Sequence, residues 1–343
     1  VLTGITMGQQ AVALIGAGIV MAQAIAGVVA ITVQYRRAIA PRLASLALHY
    51  AVALVLLATG ALLGFLISWS NAHGRSALAD GFYLAHTTTM LLGFVGTTVL
   101  GTLTVLWPTM LRTPMEPVAP RWTTRGLPYL VGGTALVAAC GLWPPLAGLG
   151  TLVYLGGACA VLVPAYRTAR RVPPTSFATA SATASVAWFV GCVAVLGARM
   201  ALADDAAASR QVIHSLRLPL AAGFALQILV AALSYLTPVM LGGGPAATRA
   251  TNAIMDRFAA YRVTAANACL LLALYPGAPW QVRVVAGALA ALVTSYLLAG
   301  MILSLREVSQ RKRPPRTPRT PADADPTSDP AGHRSAQPRR GTR

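Results

Sequence analysis

Two histidines invite a chemical reading, because each begins an apolar stretch that ends in the same short motif at the same distance. After His86 comes Gly93-Phe94, then thirteen residues, then Pro108 followed by Met110-Leu111; after His214 comes Gly223-Phe224, then thirteen residues, then Pro238 followed by Met240-Leu241. An imidazole carried into hydrocarbon is costly, so a histidine there is a functional hypothesis by default. Two imidazoles at similar depth on separate helices would suit axial ligation of a haem, or two-thirds of a copper site. His86 and His214 are therefore the candidate cofactor and metal ligands. The plainer reading is that His86 hydrogen-bonds a neighbouring helix and His214 faces an aqueous boundary. On the Gly-Phe alignment the two differ by two residues, about 3 Å along a helix axis. His49 falls near the opposite end of its apolar segment and cannot share a mononuclear metal with His86. His73 could join the pair from a connecting loop, although a solvated role is the simpler one, and His333 is solvated.

The elements that must position these residues are membrane spans. Of 343 residues 56% are hydrophobic and 10% charged, against roughly 25% charged in soluble domains. A span needs about 20 mostly apolar residues to cross a ~30 Å hydrocarbon core. Nine segments meet or approach that: 11–33, 44–69, 81–108, 127–146, 148–168, 179–203, 215–241, 259–276 and 280–305. The expected fold is thus all-α, a polytopic transmembrane helix bundle over 1–305 with tight hairpins at Pro144-Pro145 and at Pro276. Arginines collect in alternate connections, with Arg36, Arg37 and Arg42, then Arg112, Arg121 and Arg125, then Arg167, Arg170 and Arg171, then Arg249 and Arg257. Basic loops stay in the cytoplasm, so the N-terminus is expected outside, the C-terminus inside, and the protein in a bacterial inner, or cell, membrane. No cleavable signal stands out at the start.

Residues 306–343 turn abruptly to Arg, Pro, Thr, Asp and Ser. That composition cannot repay the entropy of folding, so a disordered cytoplasmic tail is expected. Its basic run at 311–319 would be drawn to anionic lipid. The formal net charge of +18 belongs to these loops and the tail, and without interleaved aromatics it does not indicate nucleic acid. Cys140, Cys159, Cys192 and Cys269 show no paired spacing and read as small core hydrophobes. Gly60 and Gly64 form a GxxxG pair suited to close helix approach. Asn71, Gln227 and Asn267 read as isolated polar groups. No Asp or Glu lies deep in a span, which disfavours a transporter driven through a buried carboxylate. The GGGP at Gly242 lacks the Lys-Ser/Thr of a phosphate loop.

The stretch AHTTTMLLGFVGTTVLGTLTVLWPTMLRT at 85–113, with IHSLRLPLAAGFALQILVAALSYLTPVMLGGGPAATRATN at 213–252, resembles the membrane-spanning half of actinobacterial multicopper-oxidase and nitrite-reductase-like proteins. These are similar in pattern to haem-copper oxidase subunit I and to NnrS-type haem membrane proteins. The resemblance covers about residues 10–305. It implies haem or copper at His86 and, less directly, His214, and a separate cupredoxin or oxidase subunit as partner. Where the family pattern has a second His and an Asn after the first His, this chain has Thr88 and Met90. The spans lead here into the basic tail, so no cupredoxin chemistry is carried over. Three functions are consistent with this sequence: a haem- or copper-binding respiratory component, a cofactor-free membrane scaffold or assembly partner of an oxidase, and a small-solute transporter. A complete catalytic constellation is not among the motifs, so an enzyme activity is not assigned.

Overall fold

In a computed structural model the chain is described over residues 10–37 and 44–311. Every regular element among these residues is helical. In order they are α1 (Gln10–Arg37), α2 (Ala44–Ala72), α3 (Ser76–Met110), α4 (Ala119–Ala138), α5 (Pro145–Arg171), α6 (Phe177–Ala201), the short α7 (Ala206–Ser215), α8 (Pro219–Leu241), α9 (Gly244–Met255), α10 (Ala259–Leu274) and α11 (Trp280–Arg311). The tail expected over 306–343 lies outside the described residues from 312 onward, while 306–311 continue α11 as helix.

Seven of these helices, α1, α2, α3, α5, α6, α8 and α11, are long and apolar enough to cross a membrane. The expected spans at 127–146 and 259–276 do form helices, α4 and α10, but neither joins the seven. The first turns of α4 carry Arg121 and Arg125, and the 16 residues of α10 reach about 24 Å at 1.5 Å per residue. Each is the short arm of a tight hairpin, α4 with α5 and α10 with α11, at the turns the prolines marked. The outward surface is strongly apolar. Leu152 is 72% exposed and Met240 82%, a surface that water does not tolerate on a contiguous scale and lipid does. These features make it an integral membrane protein.

Two faces cap the bundle. One face holds the ends of α2, α6 and α10, the start of α3 and the short α7, with His73 just after α2 and His214 in the last turn of α7; the opposite ends carry the arginine-rich turns. They are called here the histidine face and the arginine face. From α2 onward the order repeats: α2, α3 and the α4–α5 hairpin are followed by α6, α7–α8 and the α10–α11 hairpin, with α9 inserted. α2 packs on the middle of α3 as α6 packs on the start of α8.

The α4–α5 hairpin shows why small residues are spaced as they are. Gly126 faces Gly157, and Gly133 faces Gly150, seven residues apart on each strand of an antiparallel pair. A Cβ on Gly133 would lie 2.5 Å from the Tyr154 amide nitrogen, and one on Gly157 would lie 2.8 Å from the Gly126 carbonyl. The two backbones touch, which supplies van der Waals contact where lipid removes the hydrophobic drive between helices. The neighbouring Gly132 has open space beside it. Gly133→Val is expected to lower the melting temperature in detergent, with overpacking costing about 1–3 kcal/mol, while Gly132→Val leaves it unchanged; equal behaviour of the two variants would show that the seam does not hold the hairpin.

Candidate functional site

The sequence echo has a structural counterpart. Within α3 the turn Thr89–Gly96 is π-helical, and within α8 so is Pro219–Leu226. Each is eight residues long with Gly-Phe at its fifth and sixth positions, and each is followed by the helix-interior proline, Pro108 or Pro238. The two turns are 130 residues apart in strict register. Where α3 has Thr89, α8 has Pro219. Proline lacks an N–H and crowds the preceding turn, so α3 runs unbroken through this point while the second copy is divided into α7 and α8.

A π turn widens the helix and shifts its backbone bonds; Leu92 O accepts the Thr97 N–H and Phe224 O the Gln227 N–H, and each takes a second donor from a neighbouring helix. Tyr154 of α5 donates its hydroxyl to Leu92 O at 3.0 Å, and Ser185 of α6 donates to Phe224 O at 2.9 Å. Phe189 lies between the two turns, edge-on to Tyr154 at 6.3 Å and tilted on Phe224 at 4.5 Å. Gly96 makes room for Tyr154 and Phe189, and Gly223 for Trp188, whose ring atoms would be 2.6 Å from a Cβ there. Trp188 Nε1 and Gln227 Nε2 both donate to Asn267 Oδ1, at 2.7 and 3.1 Å. Gln227 and Asn267 are therefore one network and not the isolated groups that the sequence suggested.

His86 and His214 do not meet. His86 turns to α2, where Gly60 and Gly64 accommodate Met90 and the imidazole; its Nδ1 lies 2.8 Å from Gly60 O. A carbonyl can only accept, so Nδ1 carries a proton. His214 sits against Tyr83, one helical turn along α3 from His86, with ring centroids 6.0 Å apart. Arg217 Nη2 is 3.1 Å from His214 Nε2. A guanidinium can only donate, so here Nε2 is the acceptor and its lone pair is spent. Arg210 stacks over Tyr83 at 4.5 Å and pairs with Asp80 at 2.7 Å. Sequence reasoning missed this Asp80–Tyr83–Arg210–Arg217 setting of His214, since its members lie about 130 residues apart. His73 bonds Trp69 O at 2.8 Å on its own helix, and His49 is fully buried, with its Cβ 2.8 Å from a Cβ placed on Gly101. Among the described residues no group of three His, Cys, Asp or Glu could hold a metal ion.

On the arginine face the end of α3 and the middle of α8 border a polar cavity of about 290 Å³, lined among others by Arg112, Ser234, Tyr235, Asn252 and Asp256. A larger groove of about 1340 Å³ between α1, α2 and the start of α4 is lined by Arg36, Arg121 and Arg125 over an apolar floor. No family model, no curated protein and no solved structure matches the chain.

The environment of His214 holds its pKa below the ordinary 6.5, through desolvation first and then Arg217 and Arg210. With the folded value depressed, the contribution of this contact is present above the unfolded imidazole value and is lost as pH falls through the folded one. An NMR titration of the His214 ring is expected to show a midpoint below 6.5 that moves upward in Arg217→Gln; identical midpoints in the two proteins would remove the Arg217 contact from the account.

Proposed function

We propose that this protein is a multi-pass cell-membrane component associated with an oxidoreductase, in which His86 would be a ligand to a haem near the histidine face. The observation that supports it is the His86–Gly60 hydrogen bond. It fixes the ring with Nδ1–H turned to a carbonyl, the second hydrogen bond that orients ligating histidines. A bound haem would contribute one-electron redox chemistry. What the chain itself would contribute is orientation at His86 and, toward the histidine face, the Arg217 guanidinium, which makes no ion pair among the described residues and suits a carboxylate side group, Arg210 being already paired with Asp80. The residues fit a copper ion poorly, because His214 has its Nε2 lone pair committed to Arg217 and lies among guanidiniums that repel a cation.

A second reading is a cofactor-free scaffold or assembly partner of an oxidase, retaining the helices of the resembled family. The observation favouring it is that Gly60 and Gly64 pack closely on His86 and Met90, with the His86 ring 3.2 Å from a Cβ on Gly64. The hydrogen bond to Gly60 is then complete in itself. A reduced-minus-oxidised spectrum with iron and copper analysis decides between the two. For the haem reading, stoichiometric iron and a Soret band are expected in the purified protein and lost in His86→Ala; a metal-free, colourless protein of unchanged fold would leave the scaffold.

Nine crossings with the N-terminus outside and the C-terminus inside complete the proposal, with α4 and α10 crossing as the short arms of their hairpins. The support is the alternation of arginine between connections, which puts the arginine face in the cytoplasm. In a background with Cys159 and Cys269 replaced by alanine, Asp204→Cys is expected to react with an impermeant thiol reagent on intact cells and Arg170→Cys only after permeabilisation. The reverse pattern would invert the topology.

A further inference from the structure

The cavity on the arginine face lies between the two halves of the molecule. It is walled by the end of α3, the α5–α6 turn, the middle of α8 and the end of α9. Its hydrogen-bonding groups divide into those already committed and those still free. Asp256 Oδ1 accepts the Phe177 N–H at 2.8 Å, closing the N-terminus of α6, and Ser176 and Thr179 bond each other. Ser234 is 3% exposed and its Oγ has no partner among the described residues. A buried hydroxyl without a partner carries a desolvation penalty that a ligand would relieve. The side chains of Arg112, Tyr235 and Asn252 also make no hydrogen bond among the described residues. The free groups are thus rich in donors.

Charge points the same way. Asp256 is the acid of the cavity, and two guanidiniums act on it, Arg112 and Arg262. Arg262 is fixed nearby, between the rings of Phe177 at 3.6 Å and Tyr296 at 4.1 Å, with Nη1 donating to Met255 O at 2.9 Å. One acid therefore faces two cations, and Arg112, which makes no ion pair within 4 Å among the described residues, is the one that lines the cavity.

Arg112 is also held in a conformation that does not suit it. It follows the end of α3 at φ +53°, whereas the residue 130 positions later, following the end of α8, is Gly242 at φ +62°. Gly242 takes its positive φ with ψ −141°, a conformation that glycine adopts at no steric cost. The first half places an arginine at positive φ, which an L side chain disfavours. A positive φ calls for glycine rather than for a guanidinium, so backbone geometry does not account for Arg112.

We propose that the cavity between α3, α6, α8 and α9 binds a small anion with phosphate- or carboxylate-type oxygens, held by the Arg112 guanidinium, the Ser234 hydroxyl and the side chains of Asn252 and Tyr235. The anion can be free in solution or the exposed phosphodiester of an acidic lipid, and the test separates these sources. Full-length protein in neutral detergent is melted at constant ionic strength with inorganic phosphate, or with short-chain phosphatidylglycerol, against chloride. A rise of roughly 3 °C or more with either probe is expected, lost in Arg112→Gly, reduced in Ser234→Ala and kept in Arg249→Gln, which removes the same charge from α9 outside the cavity. Arg112→Gly should fold at least as well as the parent because glycine suits the turn, so loss of the response cannot be ascribed to unfolding. A response to phosphate identifies a free anion, and a response to phosphatidylglycerol alone identifies a lipid headgroup. No response in the parent, or the same response in Arg112→Gly, overturns the proposal. The site is independent of the haem reading, which His86→Ala tests on the other face.

Discussion

A peptide carbonyl has two lone pairs, and in hydrocarbon no water is present to use the second. In the π turns of α3 and α8, Leu92 O and Phe224 O each accept a backbone N–H and also a hydroxyl from a neighbouring helix, Tyr154 and Ser185. Each donor fixes the depth and rotation of the helix that carries it. Tyr154 sets α5 against α3, Ser185 sets α6 against α8, and Phe189 beside them ties the two halves through one aromatic contact chain. The glycines at 96 and 223 are what let those groups come close enough.

The same economy explains the histidines. A helix backbone exposed by glycine offers an acceptor, and His86 uses the Gly60 carbonyl in this way. At the end of α7 the acceptor is the imidazole itself, and Arg217 supplies the donor. The two residues look alike in sequence because each precedes a Gly-Phe turn, yet one donates through Nδ1 and the other accepts through Nε2. Their surroundings, one helix-packed and one among guanidiniums, give them opposite chemical characters.

Much of the architecture is legible in the chain because hydrophobic length and proline position are local properties. The long apolar runs, the hairpin turns at Pro144 and Pro276, and the echo around Gly93-Phe94 and Gly223-Phe224 are all found as helices, turns and matched π segments. α4 and α10 are not among the seven long apolar helices, since Arg121 and Arg125 occupy the first turns of one and the other ends at Leu274. What could not be read was side-chain direction across long separations. Nothing local announces that Asn267 joins Trp188 and Gln227, that Arg210 lies on Tyr83, or that Ser234 faces a cavity with Arg112. The positive φ of Arg112 leaves a faint trace, visible only once the chain is laid against itself and arginine is found opposite Gly242.

That comparison of the chain with itself has a mechanical side. Both halves leave α-helical winding at the same register, each with a glycine-phenylalanine pair inside the turn and a proline fourteen positions after the phenylalanine. Each echo helix is thereby wound more loosely at one depth and deprived of a backbone donor at another, so the two helices share the same pair of soft points. Where the halves differ, as with Pro219 for Thr89, the second helix gains a third such point and the first stays continuous.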